Sequence, residues 1–101
     1  MIDEISSKMK DDNRINKKCE LFKLLGDPTR MKIILALESH ELCVCELTEI
    51  LGINQSNVSQ QLRHLRNSDV VKFRKINKHV FYSINDEKII KIIKDGEEYG
   101  S

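Results

Sequence analysis

Gly52-Ile53-Asn54 is all the chain has to turn between two helices, and that tight reversal limits the fold more than any other feature. A brief helix is expected to end near Leu51, with Gly52 just past it, where a left-handed residue closes a helix at least cost. Asn54 is placed to cap a longer helix over residues 55–68. Val58, Leu62 and Leu65 recur there at i, i+4 and i+7, which puts them within about 40° of one another on a helical wheel. The opposite side carries Ser56, Ser59, Gln60, Arg63 and Asn67. An apolar spine with a hydrogen-bonding back, reached through a three-residue turn, matches helix-turn-helix geometry.

The flanks extend this motif. Ile15, Cys19 and Phe22 follow a helical period, widened by Leu21, Leu24 and Leu25. Gly26 stops that helix, Asp27 caps the next, and Pro28 takes its first position. Ile33, Ile34 and Leu37 supply the buried face of this second helix. After the polar-backed helix, residues 70–76 and 80–84 are rich in β-branched and aromatic side chains and predict two strands joined by Asn77-Lys78-His79. Asp86-Glu87 then opens a last helix whose apolar residues are Ile89, Ile90, Ile92 and Ile93, and which is expected to fade at Gly96. The expected organisation is a flexible segment over residues 1–14, one domain over 15–94 and a polar tail over 95–101. The fold class is mainly α with a β-hairpin, a winged helix-turn-helix.

Net charge is only +1, but its distribution is uneven. Residues 54–80 hold Arg63, Arg66, Lys72, Arg74, Lys75 and Lys78 against Asp69 alone, while the segments on either side are both net acidic. A basic block between acidic ends predicts a localised phosphate-contacting surface. In the second helix of the motif, Gln and Asn can pair with adenine and Arg with guanine in a major groove. Gln55, Ser56, Asn57, Ser59, Gln60, Arg63 and His64 are therefore the candidate contacts to double-stranded DNA. Arg74, Lys75 and Lys78 of the hairpin are candidates for the backbone or a minor groove. The longest apolar run, residues 33–37, is far short of the ~20 needed to span a bilayer. No secretory leader is evident at the start, so a cytoplasmic location and no membrane partner are expected.

Three cysteines occur, Cys19, Cys43 and Cys45. An odd number in such a chain argues against a disulfide framework, and the one-residue gap between two of them favours metal or redox chemistry. Soft thiolates select soft ions, whereas Mg or Ca would require oxygen ligands. If both lay in a regular helix, residues two apart would point about 200° from each other. One small ion could then hold both only if the start of the helix were unwound.

Three stretches together carry a resemblance: Gly26-Asp27-Pro28-Thr29-Arg30, Glu41-Leu42-Cys43-Val44-Cys45-Glu46-Leu47, and Asn57-Val58-Ser59-Gln60-Gln61-Leu62-Arg63-His64-Leu65. They resemble the ArsR/SmtB repressors across roughly residues 19–93. The resemblance implies a homodimer built largely from the first and last helices and an inverted-repeat operator. It also implies repression of a metal or metalloid resistance operon, lifted when the inducing ion binds. The implied metal ligands are Cys43 and Cys45, with Cys19 either a third ligand or interface packing. Some arsenic-responsive relatives carry another Cys where this chain has Thr48, and many relatives have His where it has Gln61. Cadmium- and lead-type relatives take further thiols from an extended N-terminus, and here only Cys19 lies upstream. As(III) or Sb(III) is therefore narrowly favoured over Cd(II), Pb(II) or Zn(II). The second metal site of some relatives needs His on the last helix, and this chain has none there.

Two alternatives remain open at this point. The same fold could use Cys43 and Cys45 as a redox or persulfide switch, although a disulfide between residues two apart would be strained. A thiol enzyme or metal-delivery protein is the more distant reading. The sequence has no Cys-x-x-Cys after a strand, no Gly-rich phosphate loop and no convincing acid–base pair, so no catalytic residue and no organic cofactor are expected.

Overall fold

A computed structural model describes residues 1–100. The element order is α1 (Ile2–Met9), α2 (Asp12–Leu25), α3 (Pro28–Leu37), β1 (Leu42–Cys43), α4 (Val44–Leu51), α5 (Gln55–Asn67), β2 (Val71–Ile76), β3 (His79–Ile84) and α6 (Glu87–Gly100). Local chemistry fixes most of the boundaries. Asp11, Asp27 and Asn54 each accept a hydrogen bond from a backbone N–H in the first turn of the helix that follows, at 3.2, 3.0 and 2.8 Å. Each cap satisfies a donor that the helix itself leaves unpaired. Gly52 closes α4 in the left-handed region at φ 67°, with its N–H on the Thr48 carbonyl. A Cβ there would impose backbone strain even though nothing crowds the position.

The core is one cluster drawn from α2 to α6. Ile33, Ile34 and Leu37 of α3 meet Leu47 of α4, Val58, Leu62 and Leu65 of α5, Val70 and Val71 at the start of the wing, and Ile93 of α6. The predicted spine of the polar-backed helix is thus buried along its whole length. Helix α5 ends in a Schellman motif: the N–H of Val70 reaches the Leu65 carbonyl at 2.9 Å and that of Asp69 reaches Arg66 at 3.0 Å. Asp69 occupies the left-handed position at φ 59°, where Gly is the usual choice. The Asn85 side chain holds the Asp69 carbonyl at 3.0 Å, and the Asn85 N–H holds that of Val70. These bonds fasten the end of the hairpin to the end of α5.

The structure extends the expected elements and corrects two of their boundaries. The predicted hairpin is present as β2 and β3, and β1 adds to it antiparallel, giving the order β1-β3-β2 with Leu42 opposite Tyr82 and Cys43 opposite Phe81. Its turn is shorter than expected, because His79 already pairs with Ile76 and Asn77 takes a left-handed φ of 58°. Helix α6 does not fade at Gly96 but runs through it, and so takes in most of the segment assigned to a polar tail. One exposed Gly costs only about 1 kcal/mol in a helix interior. Residues 1–14 contain α1 and the first turn of α2, and α1 buries no side chain.

Candidate nucleic-acid interface and thiol segment

Gln55, Ser56, Ser59, Gln60 and Arg63 line one open hollow of about 490 Å³ on the outer face of α5. Five of the predicted contacts are thereby brought together, because they fall on the side of the helix opposite its buried spine. Asn57 is tied inward. Gln61 donates to Asn57 Oδ1 at 3.3 Å and accepts from Arg30 Nε of α3 at 2.8 Å. That leaves the Asn57 amide nitrogen as its free donor. Gln61, the departure from the resembling sequences, is therefore a link between α3 and α5. His64 is exposed but lies outside the hollow.

On the wing, Lys75 and Lys78 are exposed. Arg74 is different. Its guanidinium grips the Glu41 carboxylate with Nε at 2.9 and 2.8 Å from the two oxygens and Nη2 at 2.6 Å. The pair raises the Arg74 pKa through the hydrogen bonds and charge of Glu41. It also neutralises a cation that the sequence assigned to DNA.

The thiols lie at the start of α4. Cys43 is the N-cap residue, extended at φ −91° and ψ 170°, and Cys45 is the second residue of the helix. The regular helix assumed for the pair is thus absent at Cys43, because strand pairing with Phe81 claims its backbone. Cys43 thus lies outside the helix, while Val44 and Cys45 form its first two residues. Glu46 Oε1 accepts from the Cys43 N–H at 3.1 Å. Hydrogen bonds from the Cys43 N–H and thiol hold the Glu46 carboxyl below its ordinary range. Both thiols are free, Cys43 half-buried and Cys45 exposed. The donor set suits a soft ion through two sulfurs, but among the described residues no three His, Cys, Asp or Glu side chains are grouped to hold one. Cys19 is exposed on α2, on the same stripe as the exposed Phe22. The Thr48 hydroxyl is buried without a hydrogen-bond partner.

Residues 27–72, which span α3 to α5 and both site thiols, match the profile of the bacterial regulatory proteins of the arsR family. A transcriptional repressor SmtB homolog from Synechocystis sp. is 38% identical over 75% of this chain and 58% of its own length. A cadmium resistance transcriptional regulatory protein CadC homolog from Staphylococcus aureus is 40% identical over 74% and 63%. The crystal structure of the transcriptional repressor BigR from Xylella fastidiosa superimposes with a TM-score of 0.73 at 32% identity, covering 87% of each chain. The chain belongs to the arsR family.

This ArsR-family chain thus spans about three-fifths of the length of the first two relatives. Its relatives are regulators of transcription rather than enzymes. Beyond the predicted contacts, the fold gives defined partners to Arg30, Glu41, Arg66 and Tyr82, of which only Arg66 was assigned a role from the sequence, as part of the basic block. Arg30 is the lone cation in the first turn of an otherwise apolar helix, which hinted at a specific partner. Arg66 continues Ser59 and Arg63 at i, i+4, i+7, so its shared face was readable. Nothing local pointed to Glu41 or Tyr82, because their partners lie on strands far along the chain.

Proposed function

We propose that the chain is a homodimeric, operator-binding transcriptional repressor of the cytoplasm that leaves its DNA when a soft ion binds Cys43 and Cys45. The observation that carries this reading is the double role of Cys43, which caps the first helix of the helix-turn-helix and pairs with Phe81 in the sheet of the wing. Any displacement of Cys43 bears on both elements that face DNA. An ion held there ties the two thiolates together. In this reading Glu46 keeps the Cys43 N–H occupied, and α4 passes the change to the turn at Gly52. By linkage, an ion that favours the DNA-incompetent arrangement weakens operator affinity by the same factor by which DNA weakens ion binding.

As(III) or Sb(III) remains the first choice, because two thiols on one segment suit an ion of low coordination number. Cd(II) comes next, a cadmium resistance regulator being among the relatives. A four-thiolate Cd(II) or Pb(II) site would call on Cys19 as well. The regulated genes would then be those of metal or metalloid resistance. A second copy is proposed to cover the face made by α2 and α6. Phe22, Leu35 and Ile92 are exposed there beside an apolar hollow of about 440 Å³. The radius of gyration of 16.3 Å also exceeds the ~13 Å of a compact chain of this length. Two-fold symmetry would make the operator an inverted repeat.

The test is a titration of the reduced protein on the DNA upstream of its own gene with As(III), Sb(III), Cd(II), Pb(II) and Zn(II). Release by one of these ions, lost in Cys43→Ser and Cys45→Ser, is the expected result, and Cys19→Ser decides the third ligand. Binding that ignores every ion and yields only to an oxidant or persulfide would replace the metal reading by a thiol switch.

A further inference from the structure

Beside the hollow on α5 lies a second cavity, of about 230 Å³, in the corner between that helix and the wing. It is lined by Ser59, Leu62, Arg63, Arg66 and Tyr82. Ser59, Arg63 and Arg66 reach it from successive turns of one helix face, and Tyr82 reaches it from β3. Leu62 is buried in the core. No carboxylate lines the notch, and neither arginine is engaged in a salt bridge among the described residues. Arg66 is nonetheless held in place. Its guanidinium stacks 4.7 Å from the centroid of Phe73, whose ring in turn lies 6.1 Å from that of Tyr82. Stacking fixes the plane of a guanidinium while leaving its edge N–H donors free.

Two unneutralised guanidinium groups and two hydroxyls converging on one concave corner form an anion site. Ser59 and Arg63 also line the neighbouring hollow, so the two cavities are adjacent. A duplex presenting base edges to that hollow would carry its sugar-phosphate strand past the corner. We infer that the notch between α5 and the wing seats a phosphodiester of the DNA backbone, with Arg66 a phosphate contact positioned by Phe73. The inference rests on the DNA-binding reading above and deepens it: Arg66, rather than the Glu41-bound Arg74, is the arginine free to meet the backbone beside the wing.

The experiment measures affinity of the full chain for its upstream DNA and for a scrambled duplex between about 0.05 and 0.3 M chloride salt. Arg66→Gln is expected to reduce the slope of log K against log[salt] by about one on both duplexes, with roughly fivefold weaker binding at about 0.15 M. Arg66→Lys keeps the charge and is expected to restore the slope. Tyr82→Phe, which removes only a hydroxyl, is expected to weaken binding severalfold at unchanged slope. An unchanged slope in Arg66→Gln, or a slope lost equally in Arg66→Lys, would overturn the phosphate seat while leaving DNA binding intact. So would full wild-type affinity in Tyr82→Phe, since the corner would then make no contact through β3. Replacing chloride by inorganic phosphate at equal ionic strength should displace no more DNA. Extra displacement that disappears in Arg66→Gln would identify a free-phosphate site instead. A wild-type chain that binds neither duplex would remove the repressor reading itself.

Discussion

Helix α5 and the segment from Glu41 to Cys45 are built on opposite plans. The helix is fixed at both ends and along its back: Asn54 caps its start, a Schellman motif closes it, Val58, Leu62 and Leu65 are buried, and Arg30 braces it through Gln61. The thiol segment is held instead by partners far along the chain, through a two-residue strand on β3 and the Glu41–Arg74 pair, and its sulfurs bond to no other cysteine. The surface that would read DNA is assembled within one chain, and the part that would sense a ligand is left with spare donors. A reader fixed by its own helix beside a sensor tied to the wing would let one ligand bias the position of the reader without having to build it.

The contrast can be broken first where it is strongest. Leu62→Ala opens a cavity beneath the recognition face and should cost about 3 kcal/mol, lowering the melting temperature by more than about 10 °C in a thermal scan. Cys43→Ser and Cys45→Ser should leave melting almost unchanged yet abolish ion-dependent release. That release is an effect of about 5- to 150-fold if the coupling is of ordinary size. Equal thermal damage from the thiol and spine variants would end the distinction between sensor and reader. Asp69→Gly relieves a left-handed non-glycine residue at the junction of helix and wing, and should stabilise by up to about 1 kcal/mol, read as a higher melting temperature.

Smaller effects sharpen the same comparison. Glu41→Gln frees Arg74 and should steepen the salt dependence of DNA binding by about one unit of slope on any duplex. This is the opposite of the change expected for Arg66→Gln. The carboxyl of Glu46 has a lowered pKa in the folded chain, so the stability it contributes is present above its unfolded value near 4.5 and is lost as pH falls through the lower folded one. Far-UV circular dichroism should therefore show a loss of helix at acid pH that is reduced in Glu46→Gln.

Residues whose partners are close in sequence made the fold legible. Asp27, Pro28, Gly52 and Asn54 punctuate the helices within four residues of what they bond, and the spine of α5 follows one period. The strand at Leu42–Cys43 was not legible, since two residues carry no alternation and their partners, Tyr82 and Phe81, lie some forty positions away. A separation of 33 positions likewise hid the Glu41–Arg74 pair, and with it the fact that a count of positive charges overstates those free for phosphate. Gln55, Ser56, Ser59, Gln60 and Arg63 could be named because a helix puts them on one side. Arg66 and Tyr82 needed the wing folded back against that helix.

The brevity of β1 has a consequence for timing. Among the described residues its two rungs are the only sheet pairing that the thiol segment makes, whereas β2 and β3 pair at six positions. Parting those two rungs, with exposure of the core residue Leu42, would be a smaller excursion than global unfolding. A switch hinged on it could respond within the lifetime of a bound complex and reset without refolding the molecule.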